Sequence, residues 1–248
     1  MHPVDVGFKT DKGVRRTNNE DAFFVMKKDG VYIVADGVGG NNSGEIASRT
    51  AVSEIAQYVE ENEMPHKDKD IEFFFEQAVG RANCRVYDMA RRYKENQGMA
   101  TTVVIAYLNG KKLHITNVGD SRAYLYTDGV LQQITEDHTY VNALVRAGVI
   151  SKDQARTHED KNMITKAIGA EAAVEADHFT VKVRSGDRIL LCTDGLYGEV
   201  NEEDIGAIFA MGMSMTDTCV RLVDAANGNG GGDNITAICI EITEDDII

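Results

Sequence analysis

Val31-Tyr32-Ile33-Val34-Ala35-Asp36-Gly37-Val38-Gly39-Gly40 is the stretch on which the reading of the whole chain turns. Its first five residues are apolar and rich in β-branched types, the pattern of a buried strand. The run stops at Asp36. From Glu45 onward, Ile46, Ala47, Ala51, Ile55 and Tyr58 return at three- and four-residue spacing, which predicts a helix reaching about residue 62. A carboxylate is thus set at the end of a rigid strand, followed by glycines whose backbone a ligand can approach closely for want of a Cβ. Taken alone, Asp36-Gly37 reads as a turn. Asp29-Gly30 and Asp128-Gly129 do read as plain hairpin turns between short alternating runs. Asp36 differs because a helical pattern follows it in place of a returning strand, and companion sites elsewhere in the chain must decide its meaning.

Composition narrows the class of protein. The chain has 248 residues, 43% of them hydrophobic, enough for a sizeable core. Its two prolines are Pro3 and Pro65, and no Ser/Gly/Pro-rich linker divides it, so residues 1–248 are expected to form a single domain. No apolar stretch approaches the length of a membrane span. Met1 to Asp5 lacks the basic and apolar regions of a signal peptide. Cys84, Cys192, Cys219 and Cys239 form no C-x-x-C pair, and the six histidines show no H-x-x-x-H spacing. This argues against zinc and for reduced thiols in a cytoplasmic protein. The formal net charge is −14, with no basic stripe, so nucleic acid is a poor partner.

Strand patterns fall at residues 4–9, 22–26, 101–108, 112–118, 123–126, 179–183, 188–192 and 235–242. Helical patterns fall at 45–62, 71–96, 201–210 and 215–226, with Phe73, Phe74 and Phe75 read together as core. Residues 140–169 are polar and short-helical, an insertion lying over the strands. Because strands and helices come in blocks and do not alternate, the expected class is α+β, with two largely antiparallel sheets and helices stacked outside.

Four aspartates share one habit. Asp36 ends V-Y-I-V-A, Asp194 ends I-L-L-C-T, Asp120 ends H-I-T-N-V-G, and Asp233 precedes the strand I-T-A-I-C-I. Each alone is readily a turn or a helix N-cap; together, at the rims of core strands, they can converge on one end of a sheet. Oxygen ligands of this kind suit hard cations such as Mg²⁺ or Mn²⁺. Two such ions bridged by one carboxylate would lower the pKa of a shared water and hold a phosphoryl oxygen. Arg15-Arg16 lies just upstream of Glu20-Asp21, and a guanidinium matches the geometry of phosphate.

In order along the chain stand R-x-x-x-E-D (Arg16 to Asp21), V-A-D-G-V-G-G (Val34 to Gly40), Thr101-Thr102, G-D-S-R (Gly119 to Arg122), T-D-G-L (Thr193 to Leu196) and G-x-D-N-I-T (Gly231 to Thr236). This series resembles the metal-dependent serine/threonine phosphatases of the protein phosphatase 2C (PPM) family, bacterial members in particular, from about Val6 to Ile242. The resemblance implies a four-layer α-β-β-α sandwich with a small helical flap at about 140–168. It implies two Mn²⁺ or Mg²⁺ ions, bridged by Asp36 with the Gly37 carbonyl as a further ligand, and Asp194 and Asp233 completing one ion. A third, weaker metal would use Asp120 with Asp194. Glu20, Asp21 and Asn234 would support the ligands and their waters from behind, and Arg16 would hold the substrate phosphate. A metal-bridging water or hydroxide would attack the phosphorus of phosphoserine or phosphothreonine directly. The proton for the leaving oxygen would come from a metal-bound water or from His138, water being preferred. Phosphorylated proteins are the implied partners, with a Ser/Thr kinase that the enzyme opposes; no nucleic acid or membrane is implied, and a monomer is expected.

Departures from the family pattern are Val38 where some members carry histidine, Ala100 before the two threonines, and Lys161-Asn162-Met163-Ile164-Thr165 in the flap, where arginine is common. Two rival readings compete. A dinucleotide fingerprint begun at Gly37 would need glycine at 42, which is Asn42, and a phosphate loop begun at Gly39 would need lysine at 45, which is Glu45. A phosphatase-like fold kept as a non-catalytic binding module would have lost metal aspartates or the phosphate arginine, and neither loss is seen.

Overall fold

The structure, a computed structural model, describes residues 4–39 and 43–243; Gly40, the last glycine of the opening stretch, lies outside the described residues. One five-stranded sheet contains, in spatial order, β1 (Val4–Asp11), β12 (Ile235–Ile242), β11 (Arg188–Cys192), β8 (Arg122–Thr127) and β9 (Val130–Gln133). The other contains β10 (Asp177–Lys182), β7 (Lys112–Val118), β6 (Val103–Asn109), β3 (Val31–Ala35) and β2 (Ala22–Met26). Neighbouring strands in both are antiparallel.

The opening strand shows why the layers stack as they do. Residues of β3 alternate between its two faces. Val31, Ile33 and Ala35 pack with α1 (Ser43–Glu61) and α2 (Asp68–Arg92), while Tyr32 and Val34 pack against Leu191, Ile238 and Ile240 of the opposite sheet. An unbroken apolar run was therefore required, and all five residues are buried. The outer face of the first sheet, through Leu190, Cys192, Ala237 and Cys239, is covered by α6 (Glu202–Ala210) and α7 (Met215–Asn229). The result is the four-layer α-β-β-α sandwich expected.

Several local expectations are corrected. The strand expected at 101–108 is broken at Thr102, whose N–H donates to the Asp36 carbonyl at 2.9 Å in place of a sheet partner. Two-residue strands β4 (Gly37–Val38) and β5 (Ala100–Thr101) pair with each other, so the chain beyond Asp36 does enter a strand, though not a hairpin with β3. The second long helix stops at Arg92, because Tyr93 is extended, and a single 3₁₀ turn at Lys94–Asn96 follows. Phe73 is not core: it is 66% exposed, whereas Phe74 and Phe75 are buried. A helix cannot turn three successive side chains inward. The four-residue α5 (Asp194–Tyr197) is too short to leave a periodic signal.

The insertion carries α3 (Tyr140–Arg146) and α4 (Lys152–Arg156) on a narrow neck. There Tyr140 N–H donates to Met163 O at 2.8 Å, and Thr165 N–H to His138 O at 2.8 Å.

Phe75→Ala is expected to destabilise the fold by about 3–5 kcal/mol through the cavity left against Tyr107, while Phe73→Ala stays within about 0.5 kcal/mol. Urea unfolding of the two variants checks this; equal losses would contradict the assignment of faces on α2.

Candidate metal centre

Asp36 is fixed through its backbone. Its N–H donates to Thr102 Oγ1 at 2.9 Å, and its carbonyl accepts from Thr101 Oγ1 at 2.7 Å as well as from Thr102 N–H. Thr102 Oγ1 lies 2.7 Å from Ser121 Oγ, which ties the end of β3 to the turn carrying Asp120. Gly37 is packed so tightly that a Cβ would stand 2.1 Å from the Gly44 carbonyl oxygen, and a Cβ at Gly44 would stand 2.6 Å from Glu20 Oε2. These glycines let the first turn of α1 close onto the Asp36 loop.

Asp194 and Asp233 are brought together by strand pairing. β11 and β12 run antiparallel with Cys192 opposite Ala237, and the pairing continues as Thr193 N–H donates to Thr236 O at 3.1 Å. Asp194 opens α5 at one strand's end and Asp233 precedes the other's start. Gly195 permits the approach, since a Cβ there would lie 2.0 Å from the Asn234 carbonyl oxygen. Beneath them Asp21 Oδ2 accepts from Thr193 Oγ1 at 2.9 Å and Thr236 Oγ1 at 2.7 Å. Asn234 holds the N-terminal loop in place. Its Oδ1 accepts from Glu20 N–H at 2.8 Å, and its Nδ2 donates to the carbonyls of Lys12 at 2.9 Å and Asn18 at 2.8 Å. Arg16 rides on that loop, with Nη2 2.6 Å from Asp233 Oδ2.

Asp120 is buried in the turn after β7, where Gly119 takes φ +103° and Tyr197 Oη donates to the Asp120 carbonyl at 3.0 Å. The arginine of the same G-D-S-R motif is structural. Arg122 binds both carboxylate oxygens of Asp137 and lies 3.6 Å over the Tyr197 ring.

Electrostatics show why the cluster calls for a cation. Burial, reinforced by the charges of Asp194 and Asp233, pushes the Asp21 carboxyl up to about 7. Burial with Asp194 and Asp137 does the same to Asp120, again to about 7. Asp36 is also raised, by burial first and then by Asp21 and Asp194, and Asp194 is raised by burial first and then by Asp233. Asp194 Oδ1 and Asp21 Oδ1 are buried without a hydrogen-bond partner. No three of the described His, Cys, Asp or Glu side chains close into a finished ligand cage. An open, oxygen-only set of mutually repelling carboxylates fits Mg²⁺ or Mn²⁺, which keep several waters and take few protein ligands each.

Every residue expected at the site is among those described, and the fold brings Asp36, Asp194, Asp233, Asp120, Asp21, Glu20, Asn234 and Arg16 to one end of the sandwich. The anchoring roles of Thr102, Ser121, Thr193 and Thr236 went unread, although all four lie inside the recognised motifs. A hydroxyl beside a motif aspartate was the available signal. The helix N-terminus that a nucleotide phosphate would occupy faces the Glu20 carboxylate instead, which disposes of the phosphate-loop rival.

An acidic oxygen-ligand site on an α-β-β-α sandwich defines a class of metal-dependent phosphatases. The chain belongs to the protein phosphatase 2C family, whose match spans residues 12–226. It is 36% identical over 237 residues to the serine/threonine phosphatase stp of Listeria innocua, covering 94% of each chain. It superposes on the crystal structure of the Mycobacterium tuberculosis serine/threonine phosphatase PstP/Ppp with a TM-score of 0.89 and 31% identity, covering 97% of this chain and 99% of that one. A PstP catalytic domain solved in complex with two manganese ions superposes with a TM-score of 0.86 and 30% identity, at 97% and 99% coverage.

Carboxyls raised from 3.8 to about 7 retain protons in the folded state that the unfolded chain has already released, so their contribution to stability is lost as pH rises across that window. Chelated protein is therefore expected to melt several degrees lower near pH 7.5 than near pH 5.5, with added Mn²⁺ raising the melting temperature most at the higher pH. Calorimetry with and without chelator checks this; a pH-independent response to Mn²⁺ would contradict it.

Proposed function

We propose that this chain is a Mn²⁺- or Mg²⁺-dependent protein serine/threonine phosphatase that hydrolyses phosphoserine and phosphothreonine. The observation that carries the reading is the cluster of buried, mutually repelling aspartates with Arg16 at its rim. The names of the Listeria and Mycobacterium relatives support it. Bound divalent ions would supply Lewis acidity, lowering the pKa of water between them and neutralising charge on the phosphoryl oxygens.

The chain's own residues divide the remaining work. Asp36, the Gly37 carbonyl, Asp194 and Asp233 would hold the two principal ions, and Asp120 with Asp194 would hold a third. Thr101, Thr102, Thr193, Thr236 and Asn234 keep those ligands from recoiling, and Glu20 and Asp21 press on them from below. Arg16 exchanges its partner, leaving Asp233 to grip two phosphate oxygens as the substrate enters. His138 is committed elsewhere: Nδ1 accepts from Gly119 N–H at 3.0 Å, which leaves the proton on Nε2, 3.1 Å from Asp177 Oδ2. It braces the neck of the flap, and the leaving oxygen takes its proton from water.

The same reading makes the enzyme a single domain and a monomer that opposes a Ser/Thr kinase in the cytoplasm. Four free cysteines, three of them buried, support a reducing compartment. No helix among the described residues is long and apolar enough to cross a membrane.

Asp36→Asn is expected to lower kcat by about a thousandfold or more, because several kcal/mol of transition-state charge stabilisation are lost, with the circular dichroism spectrum unchanged. Near-normal turnover would remove Asp36 from the metal site. Arg16→Ala is expected to raise KM for a phosphopeptide by about tenfold or more, the loss of a charge-assisted contact already made in the ground state, with a smaller effect on kcat. Steady-state kinetics check it, and an unchanged KM would remove Arg16 from phosphate binding.

A further inference from the structure

On the flank of the metal centre, where α2 ends, lies an open groove of about 790 Å³. Arg91, Arg92 and Lys94 line it together with Tyr87 and Tyr93, and no carboxylate does. In a chain of net charge −14 that is an unusual concentration of positive charge. Many other arginines are paired with carboxylates, as Arg81 is with Glu54 and Glu61, Arg122 with Asp137 and Arg188 with Glu241. Among the described residues, none of the three groove cations forms an ion pair with a carboxylate. Arg91 is held in place by Tyr87, its Nη1 donating to the phenol oxygen at 2.8 Å and its guanidinium lying 5.4 Å from the ring centroid. Cations in the last turn of α2 also answer the helix dipole. The dipole does not account for Lys94 beyond the helix end, nor for a groove of this size free of acidic side chains.

Its position ties the groove to catalysis. Met99 and Ala100 form part of its lining and run directly into Thr101, whose hydroxyl donates to the Asp36 carbonyl. β5 pairs with β4 at Gly37. Gly169, also in the lining, follows Ile168, which exchanges two backbone hydrogen bonds with Thr101 at 3.0 and 2.8 Å where the flap rejoins the sandwich. The groove therefore starts one residue from Thr101, which holds the Asp36 backbone, beside the exit of the flap.

We propose that this groove is a second anion subsite, which takes an acidic or additionally phosphorylated segment flanking the phosphoserine or phosphothreonine of a protein substrate. Arg91 and Arg92 pair with carboxylates or phosphates of that segment, Lys94 adds a point charge, and the exposed Tyr93 ring packs on its backbone. The volume accommodates a few residues of extended peptide. The proposal rests on the phosphoprotein phosphatase reading above.

The test compares the native enzyme with an Arg91→Ala/Arg92→Ala/Lys94→Ala variant in Mn²⁺. The substrates are p-nitrophenyl phosphate, a phosphothreonine peptide with neutral flanks, and the same peptide with a glutamate tract placed on either side. The native enzyme is expected to favour one glutamate-bearing peptide over the neutral one by about tenfold in kcat/KM at low ionic strength, and less at about 0.5 M salt. The variant should lose that preference while turning over p-nitrophenyl phosphate and the neutral peptide as before. Equal kcat/KM for acidic and neutral peptides in the native enzyme, or a preference that survives in the variant, would overturn the subsite. Inactivity of the native enzyme on all substrates would overturn the phosphatase reading instead. Fluorescence anisotropy of an unphosphorylated glutamate-rich peptide then decides the groove by itself: binding lost in the variant supports it, and no binding to the native protein, or equally tight binding of a single-stranded oligonucleotide, overturns it.

Discussion

Buried carboxylates repel one another, and the architecture of this protein is organised around overcoming that repulsion. Asp21, Asp36, Asp120 and Asp194 each have their carboxyl group raised by burial first and then by the charge of a nearby aspartate. Left to relax, such groups would separate or take up water. They stay together because each is held by backbone that cannot yield. Two donors lock the Asp36 carbonyl, the β11–β12 ladder continues through Thr193 and Thr236, and the Asp120 turn is tied to Tyr197. Repulsion held in this way is what a divalent cation would relieve.

The supporting groups are small and neutral. Thr102, Ser121, Thr193, Thr236 and Asn234 are all buried: Thr102, Thr193 and Thr236 bond to a site aspartate, Asn234 to the loop that carries Arg16, and Ser121 to Thr102. Hydroxyls and an amide can meet carboxylates and backbone without adding charge, so the net negative potential is left for the ions and the phosphate to answer. Glycine has the complementary task. At Gly37, Gly44 and Gly195 a Cβ would collide with backbone or with Glu20, so the loops from different layers converge only because those side chains are absent.

Two kinds of positive charge surround the site. Arg16 sits at the rim against Asp233. Arg91, Arg92 and Lys94 lie further out in a groove without acidic lining. Arg122, though it belongs to the motif of Asp120, is engaged with Asp137 and Tyr197 and serves the fold. Motif membership therefore does not settle a cation's role; what it touches does.

The strands were legible in the sequence because a strand buried on both faces, such as 31–35, must be apolar throughout, and the acidic residues closing each run marked where the layers end. Period and punctuation are local properties, and the chain states them directly. The candidate ligands were legible for the same reason, each lying within two residues of the end or the start of a strand-like run. Tertiary structure alone decided the rest. Which of the three phenylalanines turned outward was set by how α2 docks, with Phe75 against Tyr107 and Phe73 exposed. Thr102 left the ladder because the Asp36 carbonyl, distant in sequence, needed a donor. His138, open to reading as a proton donor, accepts from Gly119 N–H and lies beside Asp177, residues from other parts of the chain. The basic groove joined the end of α2 to the exit of the flap, two segments separated by more than seventy residues. Such pairings depend on which strands become neighbours, and no local pattern carries that information.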